Sequence, residues 1–332
     1  GLLFGGGIGG GGEVKLEDIG FYTLSDYRAK TACYNSRLSR CELVLTARCN
    51  FRCPYCRSVG GEDISYNDAA GVVRLWAAGG LRNIRFSGGE PTLYPGLCDL
   101  CSLARDLGAE RVAVSTNGSA NLDYYKLLLD CGVDDFSVSL DACCAEDGDR
   151  MAGGVKGAFN KVTDNILFLS AHTYTTVGVV LTEANLHAVN GIIRLADSLG
   201  VHDIRLIPAA QNGDRFHEMQ VEPEILAKYP ILRHRIRGIQ DKRPVRGLRA
   251  EDSHKCGLSL DDMAVNQGKH YPCIIYLRES GRATGIVNSS MRGDRLRWYD
   301  NHDTHTDPIC SKNCLDFCVD YNNKHEQFHR AL

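Results

Sequence analysis

The sequence lacks a long apolar run, an excess of one charge and a start typical of secreted proteins. No apolar stretch among the 332 residues approaches the roughly 18 to 20 residues of a membrane span, so no membrane association is expected. The net charge of −3 gives no overall basic field, and duplex nucleic-acid binding is therefore not expected. The start, GLLFGGGIGGGG, has neither the basic segment of a signal peptide nor the Lys-Ser/Thr ending of a phosphate-binding loop, and is interpreted as a tail.

Cysteine, in contrast, is abundant. The chain has 15 cysteines, and without a secretory signal they do not indicate an extracellular disulfide framework. In the reducing cytoplasmic compartment that this implies, such richness points first to metal ligation. The length permits one large domain with an appendage, or two ordinary domains.

From residue 41 to about residue 212, short β-branched runs alternate with amphipathic stretches. Strands are predicted at 41–47, 82–87, 110–115, 134–140, 174–182 and 202–207. Helices are predicted between them at 67–78, 96–107, 121–131, 157–171 and 186–199. This alternation predicts βαβ units and a parallel sheet, hence an α/β fold.

Unusual polar clusters follow the predicted strands directly. They are Cys49 to Cys56, Ser87 to Pro91, Ser115 to Gly118, Ser139 to Asp141 and Pro208 to Gln211. Periodicity alone does not separate an open doubly wound sheet from part of a barrel. Because clusters after so many consecutive strands would converge on one mouth in a barrel, a partial (β/α)6 TIM-like barrel is favoured.

Three of the cysteines are closely spaced after the first predicted strand. Cys49, Cys53 and Cys56 form C-x3-C-x2-C within CNFRCPYC. Thiolates suit an iron–sulfur cluster or zinc. Three thiolates leave one iron of a 4Fe–4S cube open, whereas zinc normally takes a fourth protein ligand, so the spacing by itself leaves both metals possible.

CNFRCPYC after a first strand, with SGGEP about 30 residues later after a second, resembles the radical S-adenosylmethionine (SAM) superfamily. The resemblance implies a 4Fe–4S cluster held by Cys49, Cys53 and Cys56, with SAM on the open iron. It implies SAM contacts from Tyr55 beside the adenine and from Gly88, Gly89, Glu90 and Pro91 at the methionine end. By a weaker resemblance, it implies contacts to the ribose and carboxylate of SAM from Thr116, Asn117, Ser139 and Asp141.

The implied chemistry accounts for these residue types. Gly88 and Gly89 would remove side chains where the cosubstrate approaches, and Glu90 could accept from its ammonium group. One-electron reduction splits the sulfonium to a 5′-deoxyadenosyl radical, which abstracts hydrogen from a substrate. A flavodoxin- or ferredoxin-type electron donor is therefore expected as a partner.

A second cysteine set lies near the end of the chain. Cys256 and Cys273 fit C-x11-G-x4-C, and Cys310, Cys314 and Cys318 follow at four-residue steps. This pattern resembles the twitch and SPASM extensions, which implies one auxiliary 4Fe–4S cluster held by four of the five, with structural zinc as the alternative. If the last segment were one helix, its three cysteines would lie along one face and could not all reach one cube. The predicted organisation is an extension at 1–40, the barrel at 41–212, a helix and basic linker at 213–255, and an auxiliary-cluster domain at 256–332 with a hairpin across 271–287.

Other cysteines have weaker interpretations. Cys143 and Cys144 follow the fourth strand near the expected mouth, where one could donate a hydrogen atom to a substrate radical, although burial as small apolar residues is favoured. Cys98 and Cys101 fall inside a predicted helix, where core packing is favoured over redox work.

The substrate is less defined than the chemistry. A small polar molecule such as a sugar, aminocyclitol or nucleotide is favoured over a ribosomally made peptide, since about 40 residues before the first strand are too few for a leader-binding domain. A GTP-cyclising enzyme of molybdenum-cofactor synthesis, which has a similar two-module plan, is a further alternative. That enzyme uses three C-terminal cysteines and ends in paired glycines, whereas this sequence has five candidate cysteines and ends in HRAL. A zinc-stabilised interaction protein is the non-enzymatic alternative.

Overall fold

The computed structural model describes residues 26–57, 59–209, 219 and 221–330. The glycine-rich start and Gln211, both singled out above, lie outside these residues. The strands are β1 Arg40–Val44, β2 Asn83–Ser87, β3 Arg111–Thr116, β4 Asp135–Ser139, β5 Tyr174–Leu181, β6 Asp203–Pro208, β7 Asp262–Asn266, β8 Lys269–Tyr271 and β9 Gly285–Ile286.

The helices alternate with the first six strands and then dominate the C-terminal part. They are α1 Asp26–Thr31, α2 Tyr66–Ala78, α3 Leu97–Asp106, α4 Leu122–Asp130, α5 Ala145–Met151, α6 Ala158–His172, α7 Val189–Ser198, α8 Pro223–Lys228, α9 Pro230–Gln240, α10 Ile274–Arg278, α11 Met291–Asn301, α12 Cys310–Asn313 and α13 Asp316–Arg330. Local signals set several ends: Ser65 caps α2 by accepting a hydrogen bond from the Asp68 N–H at 3.1 Å.

The sheet confirms the predicted α/β architecture. Within the described residues its nine strands run in the order β6-β5-β4-β3-β2-β1-β7-β8-β9, and neighbours among β1 to β6 pair parallel. The described strands do not close into a full barrel. The carboxyl ends of β1 to β6 therefore meet along one edge, as predicted for a partial barrel.

The two faces of this sheet differ in character. Alternate residues along a strand point to opposite faces. The face toward the helices is apolar and fully buried, with Leu43, Phe86, Val114 and Phe136 among its residues. The other face lines a cavity and carries polar or small side chains, including Glu42, Arg85, Ser115, Ser137, Gly178 and Arg205. An inner face of this kind encloses a chamber, unlike the packed aliphatic interior of a closed barrel.

The C-terminal module, as we call the described residues 256–330, continues the same sheet. β7 pairs parallel with β1, so that Glu42 lies opposite Ala264, and the antiparallel β8 and β9 follow. The predicted hairpin corresponds to β8 and β9, with α10 between them, whereas β7 was not expected. The boundaries at residues 212 and 255 stay predictions.

The single helix predicted within the segment 213–255 is two helices, α8 and α9. Tyr229 has φ −114° and ψ 96°, outside the helical region, and Pro230 begins α9. The break has a local cause, because the ring of a proline disfavours helical geometry in the residue before it and supplies no N–H.

Buried ion pairs join the N-terminal helix to the C-terminal module. Arg28 donates to Asp261 at 2.8 and 2.5 Å and also contacts Asp262, which accepts from Arg40 of β1 at 2.5 Å. Burial opposes these charges, but the two neighbouring carboxylates hold the pKa of Arg28 above its ordinary value.

The interpretation of Cys98 and Cys101 as core cysteines holds for one of the two. Cys101 is fully buried beside the α3 core residues, whereas Cys98 forms a disulfide with Cys131, with a Cα–Cα distance of 5.6 Å. The sequence could not reveal this pairing because the two cysteines lie 33 residues apart. Among the described helices, none combines the length and apolarity needed to cross a lipid bilayer.

Candidate functional site

A cavity of about 430 Å³ lies at the carboxyl ends of β1 to β6, and we call it the chamber. Its volume falls within the roughly 300 to 1,000 Å³ of ordinary ligand sites. Ten of the predicted site residues line it, together with the polar inner face of the sheet: Cys49, Cys53, Tyr55, Cys56, Gly88, Gly89, Thr116, Asn117, Ser139 and Asp141. The fold thus brings together clusters that are up to 92 residues apart in sequence.

The three N-terminal thiols lie on one loop, residues 49–56, which we call the cluster loop. The Cys56 N–H donates to the Cys53 carbonyl at 3.0 Å, which forms a tight turn between these two cysteines. The Cys49 sulfur accepts from the Phe51 N–H at 3.4 Å and contacts Asn117 Nδ2 at 3.8 Å. The loop is therefore shaped internally and also held against the end of β3.

The thiols of the cluster loop fit a metal cluster chemically. Burial raises the pKa of Cys49, and it raises the pKa of Cys53 to about 11. Neither thiol is therefore stabilised as a thiolate by the protein alone. Since metal ligation requires thiolates, a bound cation would supply that stabilisation. Three soft donors facing a chamber of this size suit an iron–sulfur cluster that also binds a small molecule.

Tyr55 and Asp141 connect the cluster loop to the far side of the chamber. The Tyr55 hydroxyl donates to the Asp141 carboxylate, whose other oxygen accepts from the Val180 N–H of β5 at 2.7 Å. Burial raises the pKa of Asp141 to about 6, although both hydrogen bonds act in the opposite direction. The aromatic ring of Tyr55 is thereby held at the chamber wall.

Gly88 and Gly89 are required by the protein's own backbone. A Cβ at Gly88 would lie 2.6 Å from the Thr46 carbonyl oxygen, and one at Gly89 would lie 2.4 Å from the Arg48 carbonyl oxygen. The Gly89 N–H donates to Thr46 O at 2.7 Å, so the two segments are bonded where they touch. Close approach explains the glycines, as expected, but the group that approaches in the structure is the segment leading into the cluster loop.

Glu90 is placed differently from the expectation. Its side chain is fully buried and does not line the chamber. Its carboxylate accepts from Thr92 Oγ1 and Thr116 Oγ1 at 2.7 Å each, from the Thr92 N–H at 3.1 Å and from the Asn117 N–H at 2.6 Å. With its lone pairs directed to these donors, Glu90 joins the end of β2 to the end of β3 and positions Thr116 and Asn117. Pro91, also buried, begins the short helical turn that follows Glu90.

Cys143 and Cys144 are not brought to the chamber. Both are exposed, and the chain turns away after Ala142, which does line it. The Cys143 sulfur faces Gly191 of α7, where an added Cβ would be 2.9 Å away. Cys144 precedes α5, and its sulfur lies 3.5 Å from Asp147 Oδ2. Their placement gives no support to hydrogen donation to a substrate in the chamber.

Among the described residues, five arginines also line the chamber, of which only Arg246 belongs to the predicted basic linker: Arg57, Arg85, Arg205, Arg246 and Arg278. Two of them carried a readable signal. NIRFS and DIRLIP each contain one arginine among apolar strand residues, and these two, Arg85 and Arg205, both face inward. A charged residue inside an otherwise apolar parallel strand indicates a polar inner face.

The inward arginines shape the electrostatics of the sheet. Burial and the neighbouring Arg205 lower the pKa of Arg85. Between them lies Asp135 of β4, whose pKa burial raises to about 6 against the opposing effect of Arg85, Arg111 and Arg205. The Arg205 guanidinium also donates to the Ser137 hydroxyl. The inner face of the sheet therefore carries charges that are buried. Buried charges cost folding free energy, so their presence here indicates a functional role.

The five C-terminal cysteines converge on one place. Cys256 interacts electrostatically with Cys273 and Cys318, and Cys310 and Cys314 each interact with Cys256 and Cys273. Burial raises the pKa of Cys273 to about 12. The last three cysteines are not on one helix, because α12 ends at Asn313 and α13 begins at Asp316.

Cys310 differs from the other four in its immediate partners. Its sulfur lies 3.4 Å from His302 Nε2, and the side-chain ligand atoms of His302, Asp307 and Cys310 all lie within 4.8 Å of one another. Asp307 also accepts from the Ile309 and Cys310 N–H groups at 2.8 and 2.9 Å, as a helix cap does.

A second cavity of about 170 Å³ reaches toward these cysteines. It is lined by Cys273 and Cys318, and it shares Glu42, Arg85 and Arg205 with the chamber. The cluster loop and the second thiol set therefore border two neighbouring cavities that share part of their lining.

Comparison with known families and sequences gives a consistent result. Residues 43–196 match the model of the Radical SAM superfamily. A probable GTP 3′,8-cyclase of Methanocella arvoryzae is 35% identical over 166 residues, which cover 48% of this chain and 50% of the relative. A GTP 3′,8-cyclase of Pseudomonas fluorescens is 32% identical over 220 residues, 60% of this chain and 65% of the relative. The chain thus spans about half the length of several of the curated relatives that it matches.

Solved structures match over more of the chain but at low identity. Native anSMEcpe with bound AdoMet has a TM-score of 0.58 at 15% identity, and the match covers 88% of this chain and 95% of that one. SuiB of Streptococcus suis bound to S-adenosylmethionine has a TM-score of 0.57 at 14% identity, with 80% and 66% covered. These likenesses show a shared fold.

Proposed function

Because residues 43–196 match the model of the Radical SAM superfamily, we propose that the chain cleaves SAM reductively at the cluster loop and removes hydrogen from a small polar substrate in the chamber. The proposal is carried by one arrangement: three thiols on the cluster loop face the same chamber as Gly88, Gly89 and Thr116. A 4Fe–4S cluster bound there would supply the electron that splits the sulfonium of SAM. Cys49, Cys53 and Cys56 are its proposed ligands.

The surrounding residues have separate proposed roles. Tyr55, held by Asp141, would present its ring to the adenine. Gly88 and Gly89 leave backbone groups accessible at the chamber wall, whereas Glu90 acts from behind by fixing Thr116 and Asn117. The apolar outer face and the C-terminal module would exclude water and oxygen from the reacting groups.

We assign an auxiliary 4Fe–4S cluster to Cys256, Cys273, Cys314 and Cys318. All five thiols interact electrostatically with others of the set, but the sulfur of Cys310 is in contact with His302 Nε2 at 3.4 Å. Four thiolates complete such a cluster without a fifth. An electron donor of the flavodoxin or ferredoxin type is part of the proposal, because SAM cleavage consumes one electron.

The substrate proposal is a sugar, an aminocyclitol or a nucleotide. The polar inner face supports it, because a small molecule with several hydroxyl or charged groups would satisfy the inward polar side chains. A specific observation favours a second candidate, GTP cyclisation: GTP 3′,8-cyclases are 32–35% identical to this chain over part of its length.

The experiment is anaerobic reconstitution with iron and sulfide, followed by dithionite and SAM. About eight irons per chain and release of 5′-deoxyadenosine are expected, with GTP and a panel of sugars tested as substrates. Cys53→Ala should abolish 5′-deoxyadenosine release and lower the iron content to about four per chain. Cys33→Ala is the matched control, since Cys33 is exposed and does not line the chamber. No 5′-deoxyadenosine from the reconstituted wild-type protein with any substrate would contradict the proposal.

A further inference from the structure

Building on the proposed function, we infer that the substrate is an anion whose phosphate or carboxylate group binds Arg57, Arg246 and Arg278. We call these three side chains the arginine wall. All three line the chamber. They come from segments far apart in sequence: the end of the cluster loop, the linker after α9, and the last residue of α10.

The position of the arginine wall suits substrate binding. Arg57 directly follows Cys56, and Arg278 lies five residues after Cys273, so each thiol set has one member of the wall close to it in sequence. Arg246 is fixed where the linker forms a bridge to Leu315, next to the C-terminal cysteines. A group bound here would lie on the module side of the chamber and leave the rest of the substrate directed toward the cluster loop.

The arginine wall carries more positive charge than the protein neutralises. Arg57 pairs with Glu279. Within the described part of the chain, Arg246 donates to two backbone carbonyls, Pro208 O at 3.0 Å and Asn313 O at 3.4 Å, and Arg278 donates to Gly88 O at 3.4 Å. Carbonyl oxygens orient a guanidinium but do not cancel its charge.

The cost of this arrangement is visible in the ionisation of Arg246. Burial, together with the positive charges of Arg57 and Arg235, lowers the pKa of Arg246 to about 10. Partly buried like charges repel one another, and an anion between them would reverse that repulsion.

The chemistry of guanidinium groups defines the ligand. Each presents N–H donors in a planar fork that matches two oxygens of a phosphate or carboxylate. Three such groups from three directions suit a group with several anionic oxygens. SAM also has a carboxylate, and Gly88 lies close to Arg278, so the experiment must separate the substrate's anionic group from that of the cosubstrate.

The test uses the anaerobically reconstituted full chain with SAM bound, titrated calorimetrically with pyrophosphate and with malonate. At least one of these anions should bind, and Arg246→Gln should weaken that binding about tenfold or more, the value of one charge-assisted contact. Arg278→Gln, which leaves the linker contacts intact, should also weaken it. Arg249→Gln is the control: Arg249 lies in the same linker, contacts the Lys242 carbonyl at 3.2 Å and does not line the chamber.

Unchanged anion affinity in both variants, or no anion binding to the wild-type protein, would overturn the inference. Weaker SAM binding in Arg246→Gln with unchanged anion binding would also overturn it, because the wall would then serve the cosubstrate's carboxylate. Release of 5′-deoxyadenosine by the wild-type protein is measured in the same preparation. Its absence contradicts the proposed function, whereas loss of anion binding alone contradicts only the substrate class.

Discussion

The substitution Gly89→Ala tests whether this glycine is required by the close approach of the protein's own backbone or by a ligand in the chamber. The added Cβ would lie 2.4 Å from the Arg48 carbonyl oxygen and 2.7 Å from that of Ala47, against a comfortable separation of roughly 3.5 Å. The segment entering the cluster loop must therefore move by about 1 Å, and overpacking of this kind costs about 1 to 3 kcal/mol. We expect the metal-free chain to unfold at lower urea concentration, and the reconstituted chain to bind less iron.

The matched control is Gly71→Ala in α2, where an added Cβ meets nothing within 4 Å. Alanine is favoured over glycine inside a helix by about 0.5 to 1 kcal/mol, so this variant should unfold at slightly higher urea concentration. Circular dichroism of both variants without metal measures the difference directly. If Gly89→Ala unfolds like the wild-type protein but loses SAM binding, the glycine serves the ligand and the backbone argument is refuted.

Two further predictions concern the walls of the interior. Burial raises the folded-state pKa of Asp141 to about 6, so its stabilising contribution is complete below about pH 4 and is lost as pH rises through 6. Asp141→Asn should remove this loss, which is up to about 3 kcal/mol of the free energy of unfolding between pH 4 and 7, as measured by urea unfolding. An unaltered pH profile would contradict the raised pKa of Asp141. Cys314→Ala should lower the iron content from about eight to about four per chain, whereas Cys310→Ala should retain about eight. Equal losses in both variants would contradict the choice of auxiliary ligands.

Much of the sheet was readable from sequence because its information is local. β2 and β5 were predicted at 82–87 and 174–182 and are observed at Asn83–Ser87 and Tyr174–Leu181. Apolar β-branched runs followed by polar clusters mark both the strands and their carboxyl ends. The convergence of Cys49, Asn117 and Asp141 on one chamber then follows from parallel topology alone.

Features that depend on distant partners were not readable. β7 is five residues long and is defined by its pairing with β1, more than 200 residues earlier. Glu90 directly follows a strand, as a ligand-binding residue would. Its hydrogen bonds to Thr116 and Asn117, which show that it positions these two residues, depend on the fold and were not predictable. Similarly, strand alternation shows that Arg85 differs from its neighbours but not which face is the interior.

The pairing of β7 with β1 has a consequence for the chemistry. A hydrogen-bonded strand pair fixes the C-terminal module on the sheet that carries the cluster loop, and the buried contacts of Asp262 with Arg28 and Arg40 reinforce the junction. Relative motion of two packed domains is the usual expectation when their interface is small and polar. Here the continuous sheet opposes such motion, so the spacing between the two thiol sets is set by the fold. A substrate bound between them would therefore be positioned by rigid elements on both sides, which radical chemistry requires to direct hydrogen abstraction to one carbon.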